Sequence, residues 1–161
     1  MVSLQNVRIV RAPIERCFDL ARSVEAHLAG NVHSGEATAA AAGVTSGLLG
    51  LGDRVTWRGR HFGIRWSLTS EISAMERPAW FQVVMIRGPF RFMRHDHFFR
   101  SLPGGETELR NVYAFAAPLA VLGRVAEVTF LGRYMAGLLR ERNEVIREIA
   151  ESADWPRYLN P

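Results

Sequence analysis

The sequence predicts a single α+β domain in which an antiparallel meander is followed by a long C-terminal helix. Three observations carry that expectation. Between Arg54 and Phe115 the chain runs in short β-rich segments, separated by turn residues at Gly63, Arg77-Pro78, Gly88-Pro89 and Pro103-Gly104-Gly105. Short strands joined by short turns pair antiparallel. After Pro118 the apolar period becomes helical and stays so to about Glu151. With 161 residues, 48% of them hydrophobic and 22% charged, the chain has the length and balance of one globular domain.

The elements are expected in this order. Ser3 to Arg11 reads as a first strand, with Val7 and Ile9 on one side and Arg8 and Val10 between them. Pro13 breaks it and suits a helix first turn, where its missing N–H would have had no partner. Ile14 to Arg22 then forms a short helix with Cys17, Phe18 and Ala21 on one side. Ser23 is placed to cap a second short helix, Val24 to Ala29, which Gly30-Asn31 ends. Glu36 to Val44 is a second strand rich in alanine. A glycine-rich connection, Gly47 to Gly52, leads into strands at Arg54 to Phe62, Arg65 to Met75, Trp80 to Arg87, Phe90 to Ser101 and Thr107 to Phe115.

From Leu119 to Glu151, Val121, Val125, Val128, Leu131, Met135, Leu138, Leu139, Ile146 and Ile149 form one stripe, an amphipathic helix of roughly nine turns. Gly123, Gly132 and Gly137 interrupt it, which suggests close approach to the sheet, a bend, or two helices. The tail from Trp155 to Pro161 carries no pattern.

Composition narrows the function classes. The single cysteine, Cys17, leaves no internal disulfide to form, which fits a reducing cytoplasm. No apolar leader occupies the first residues, and no apolar run reaches the ~18 residues a membrane span needs. All 20 basic residues are arginine, and the net charge of +4 is spread along the chain. No RNA- or DNA-binding motif accompanies it, so a nucleic-acid partner is not expected. The Gly47 to Gly52 loop lacks a lysine and the spacing of a phosphate loop. Its leucines, Leu48, Leu49 and Leu51, could cap a cavity mouth or pack as a plain turn. Arg54, Arg58 and Arg60, with Arg65 near the same turn, make a basic edge, read as a solvated outer sheet face.

Three stretches resemble one family. Val7 to Phe18 (VRIVRAPIERCF) is similar to the opening strand and first helix of the START-like, or SRPBCC, superfamily. Gly88 to Phe99 (GPFRFMRHDHFF) resembles the Gly-Pro-Phe turn and histidine-bearing strand of one bacterial ligand-binding branch. Thr107 to Pro118 (TELRNVYAFAAP), running on to Leu122-Gly123, resembles that branch's last strand and the start of its helix. The resemblance covers nearly the whole chain. It implies a helix-grip fold, a curved antiparallel sheet of about seven strands wrapped around the C-terminal helix, with two short helices after strand 1. It also implies a cavity between sheet and helix that takes a lipid, polyketide or similar apolar molecule. Some members of the superfamily are polyketide cyclases. The branch usually has an aspartate where Asn111 stands, and an amide cannot shuttle a proton, so an acid–base role there does not carry over.

The resemblance turns the histidine face of its strand inward, and alternation assigns the rest. Met93, His95, His97 and Phe99 would then face the interior, and so would Leu109, Asn111 and Tyr113 from the last strand. Trp57, Trp66, Leu68, Phe81, Val83 and Met85 would join them from the other strands, and Phe130, Tyr134 and Leu138 from the helix. Apolar walls with sparse polar groups suit a ligand pocket, though the same residues could fill an ordinary core. His95 and His97 could serve as general acid or base in a cyclase or dehydratase-like enzyme. As metal ligands they lack an identifiable third, His61 being a candidate only by facing, so neither metal nor cofactor is expected. The leading expectation is a binding or carrier protein for a hydrophobic small molecule. A cyclase and an interaction module with a collapsed cavity are the alternatives.

Overall fold

A computed structural model describes residues 1–32, 38–118 and 130–160. The described elements are β1 (Val2–Val10), α1 (Ile14–Ala21), α2 (Val24–Val32), β2 (Thr38–Gly43), β3 (Arg54–His61), β4 (Ile64–Glu76), β5 (Trp80–Arg87), β6 (Phe92–Leu102), β7 (Glu106–Ala116), α3 (Gly132–Glu151) and α4 (Pro156–Leu159). The expected start of the second strand at Glu36, and the first turns of the expected C-terminal helix from Leu119, lie outside the described residues.

The seven strands form one sheet in the order β1-β7-β6-β5-β4-β3-β2, antiparallel at every step. From β3 to β7 the chain meanders, as its short turns require. The two short helices carry the chain from one sheet edge at β1 to the other at β2. The β2–β3 pair is irregular at Ala40/Ala42. There Gly43 adopts φ +77°, and an added Cβ would meet the Arg54 carbonyl oxygen at 2.2 Å, so only glycine lets the strands close.

The core forms where α1, α2 and α3 meet the sheet. Phe18 of α1 stands edge-on to Phe81 and Phe99, with ring centroids 5.4 and 5.3 Å away, and Val10, Leu20, Ile72, Leu109, Ile146 and Ile149 complete the cluster. Edge-to-face geometry of this kind adds about 1 kcal/mol per pair beyond burial. A second cluster, Met93, Tyr113, Phe115 and Leu139, joins β6 and β7 to α3.

The helix starts follow local chemistry. Pro13 is the residue before α1, extended at ψ 150°, and its carbonyl accepts from Cys17 N. Ser23 caps α2: its Oγ accepts from Ala26 N at 3.1 Å and donates to the Tyr158 carbonyl at 2.7 Å.

Three expectations need correction. Gly30-Asn31 does not end α2, which runs on to Val32. Gly30 is buried against α3, where an added Cβ would sit 3.7 Å from Arg142 Cα, so tertiary contact overrides the helix-ending tendency. On β1, Val7 and Ile9 share one face as expected, and it is the outer one, 45% and 44% exposed, while Leu4, Asn6, Arg8 and Val10 are the more buried set. Gly137 marks no close approach, because nothing lies within 4 Å of a Cβ built there. The C-terminal tail is not patternless: it forms α4, and the Arg16 guanidinium stacks over Trp155 at 4.2 Å. Among the described residues no helix is long and apolar enough to cross a membrane.

Candidate functional site

β6 organises the interior. Its alternation sends Met93, His95, His97 and Phe99 to one face, each 4% exposed. Asp96, on the opposite face, is also buried. Trp80 Nε1 and Gln82 Nε2 donate to it, at 3.3 and 2.8 Å, and Arg94 pairs with it at 3.0 Å.

His95 is the first link of a polar chain that ties sheet to helix. Its Nε2 lies 2.9 Å from Asn111 Oδ1. Asn111 Nδ2 donates to Asn143 Oδ1 at 2.8 Å, and Asn143 Nδ2 donates to Asn6 Oδ1 at 2.6 Å. Because the Asn111 amide nitrogen is engaged onward, its oxygen accepts and His95 Nε2 carries the proton. The chain runs through β6, β7, α3 and β1, so Asn111 positions the imidazole and the helix together.

His97 stacks on Phe81 with centroids 4.3 Å apart and lies 3.8 Å from the His95 ring. Its Nδ1 is buried with no hydrogen-bond partner among the described residues. Burial pushes the pKa of His95 down to about 3 and those of His97 and His27 well below the usual imidazole value, and the Arg142 charge lowers each further. All three are therefore neutral at physiological pH. Burial also raises the Tyr113 phenol, which keeps its proton.

Between this face and α3 lies a cavity of about 340 Å³. The sheet wall includes Trp57, Trp66, Leu68, Phe81, Val83, Met93, His95, His97 and Tyr113, and α3 adds Tyr134, Met135, Leu138, Leu139 and Arg142. Pro89 and Phe90 line it as well. Gly88 before them leaves room for Met85 and Leu68, whose Sδ and Cδ1 would lie 2.6 and 2.7 Å from an added Cβ. Phe62 also lines the cavity, at the β3–β4 turn, with φ +54°, an uncommon conformation for a bulky residue. Its ring packs on Tyr134 and Phe130 at 4.5 and 5.1 Å, and His61 Nδ1 lies 2.7 Å from the Tyr134 hydroxyl.

No protein family model matches the sequence, and no curated protein matches it. Solved structures do match. The chain is similar to a START superfamily protein from Mycobacterium smegmatis, with 12% identity and a TM-score of 0.68 over 92% of this chain and 97% of that one. It is also similar to the ginseng major latex-like protein 151 of Panax ginseng, at 12% identity and a TM-score of 0.65 over 94% and 98% of the two chains. A third likeness is to the di-domain ARO/CYC BexL of the BE-7585A biosynthetic pathway, at 13% identity and a TM-score of 0.64 over 92% of this chain and 46% of that one. The chain has the START-like fold. At these identities the likeness is one of architecture, and a fold does not by itself specify chemistry.

Within the START-like fold the expected site residues divide. Trp57, Trp66, Leu68, Phe81, Val83, Met93, His95, His97, Tyr113, Tyr134 and Leu138 line the cavity. Five do not. Phe99 and Leu109 belong to the core cluster around Phe18. Asn111 stands behind His95, Met85 packs beside the second cluster, and Phe130 is 60% exposed. Facing alone could not separate these sets, because a residue on the inner face meets either the cavity or the packed core. Of the loop leucines, Leu49 lines the cavity and Leu51 is 65% exposed. The loop is strapped to the α1–α2 junction by Val24 N to the Gly47 carbonyl and Leu49 N to the Arg22 carbonyl.

Arg142 and His27 were not singled out in the sequence, and both line the cavity. Arg142 had a legible signal: it lies four residues after Leu138 and four before Ile146, a cation on the apolar stripe. His27 sat on a short helix without a marker. Among the described residues no three His, Cys, Asp or Glu side chains gather as a metal site.

Proposed function

We propose that the protein binds a hydrophobic small molecule in the cavity between its sheet and α3. The supporting observation is the chamber itself, about 340 Å³ with walls largely of aromatic and aliphatic side chains. Packed interiors hold few voids larger than a water molecule, and unfilled apolar space costs stability through lost contacts. A chamber of this size falls in the range of small-molecule sites, in which apolar walls supply affinity and sparse polar groups orient the guest. Trp57, Leu68, Phe81, Val83, Met93 and Leu138 are the apolar contacts in this reading, with Trp66 and Tyr134 nearer the rim. Asn111 acts through His95 and not by contact. A cyclase using His95 and His97 fits less well. Efficient proton transfer near neutral pH wants a group titrating close to that pH, and burial holds both imidazoles neutral and weakly basic.

The test uses N-phenyl-1-naphthylamine, a neutral probe that fluoresces in apolar surroundings. Saturable uptake by the native chain is expected. Leu138→Trp, which fills the chamber from the helix side, should weaken uptake by roughly tenfold or more. Absence of saturable uptake, or an unchanged affinity in a Leu138→Trp variant with native circular dichroism, rejects the reading.

A further inference from the structure

Among the described residues the cavity wall is neutral except at two arginines, and these differ. Arg22 has a carboxylate partner, Asp19 at 2.8 Å with both side chains mostly buried, which it shares with Arg77 at 3.0 Å. Arg142, from the middle of α3, lines the chamber beside His27 and has no carboxylate partner among the described residues. Its hydrogen-bond partner is neutral: Nη2 donates to His27 Nε2 at 2.8 Å, and the His27 ring is held flat on Trp57 at 3.8 Å. Burial lowers the guanidinium only to about 10, so it stays cationic at neutral pH. No described Asp or Glu lines the cavity. The imidazoles around it are neutral and the Tyr113 phenol keeps its proton. Among the described residues, the chamber thus holds an unbalanced positive charge.

A cation held against a largely apolar enclosure without a counter-charge is unfavourable. A guest that brings one negative charge removes that cost. The planar guanidinium offers a fork of N–H donors suited to a carboxylate, and His27 occupies only part of it. We propose that the occupant is an amphipathic organic acid whose carboxylate pairs with Arg142 while its apolar body lies along Trp57, Leu68 and Leu138. The proposal rests on the cavity being a binding site for hydrophobic small molecules, and adds the charge and position of the guest's head group.

Decanoate and 1-decanol, which share a chain and differ in the head, are compared as competitors of N-phenyl-1-naphthylamine at neutral pH. On the native protein decanoate should displace the probe at roughly tenfold lower concentration than decanol, although decanol is the more hydrophobic. In Arg142→Gln and Arg142→Met that preference should vanish with decanol binding retained, and Arg142→Lys should keep part of it. Equal displacement by both competitors on the native protein overturns the proposal and leaves the binding reading standing, and this comparison needs no variant to fold. Preference unchanged in folded Arg142→Gln overturns it too. Failure of the probe itself to bind sinks the binding reading and takes this proposal with it.

Discussion

Nδ1 of His97 lies inside the protein with no hydrogen-bond partner among the described residues, while the ring around it is packed between Phe81 and His95. A buried polar atom left unpaired carries its desolvation cost of about 1–3 kcal/mol uncompensated. Replacing the ring by an apolar one of similar shape removes that cost and keeps the stacking. His97→Phe should therefore raise unfolding stability by about 1 kcal/mol in urea titration, and a loss of that size or more would show that Nδ1 has a role in the empty protein. His95 is the opposite case, since its Nε2 is tied to Asn111 and through it to Asn143 and Asn6. That Asn111 hands the bond on to the helix through Asn143 required two strands and a helix to be brought together.

At the scale of elements, α3 shows which features periodicity reveals. The apolar stripe ran through Met135, Leu138, Leu139, Ile146 and Ile149, and the structure turns Leu139, Ile146 and Ile149 into the core. The stripe passes over Arg142, but periodicity cannot say whether a charge on an apolar face snorkels to water or points into a chamber. Gly137 looked like a packing device and has open space around its Cα. Alanine there gains helix propensity without a clash, so Gly137→Ala should raise the urea midpoint by an amount worth about 1 kcal/mol. A fall would mean that the glycine serves a bend or a motion of α3. The strands were more legible, and Trp80–Arg87 has the bounds its pattern suggested, because turn residues stop a strand locally. Gly30 failed as a stop because α3 packs on it.

At the scale of the whole molecule, the interior imidazoles couple stability to pH. His27, His95 and His97 all have folded-state pKa values below the usual imidazole value of 6.5, with burial the largest cause in each. Below that value the unfolded chain binds protons that the folded chain refuses, so acidification favours unfolding. Stability should hold above about pH 6.5 and fall as the pH drops toward about 3, by up to ~1.4 kcal/mol per pH unit for each histidine. Urea titrations at stepped pH check this, and a midpoint unchanged between neutral pH and pH ~5 would contradict the neutral-imidazole assignment. By itself the sequence determined the order of elements and the antiparallel meander, because turn chemistry and side-chain alternation act over a few residues, whereas the inward face of β6 was implied only by the family resemblance. Only the tertiary structure decided where the inner face is packed and where it is hollow, and that Arg142 stands at the hollow without an acidic partner. Volume and charge balance belong to the space between elements, where residues far apart in the chain share one enclosure.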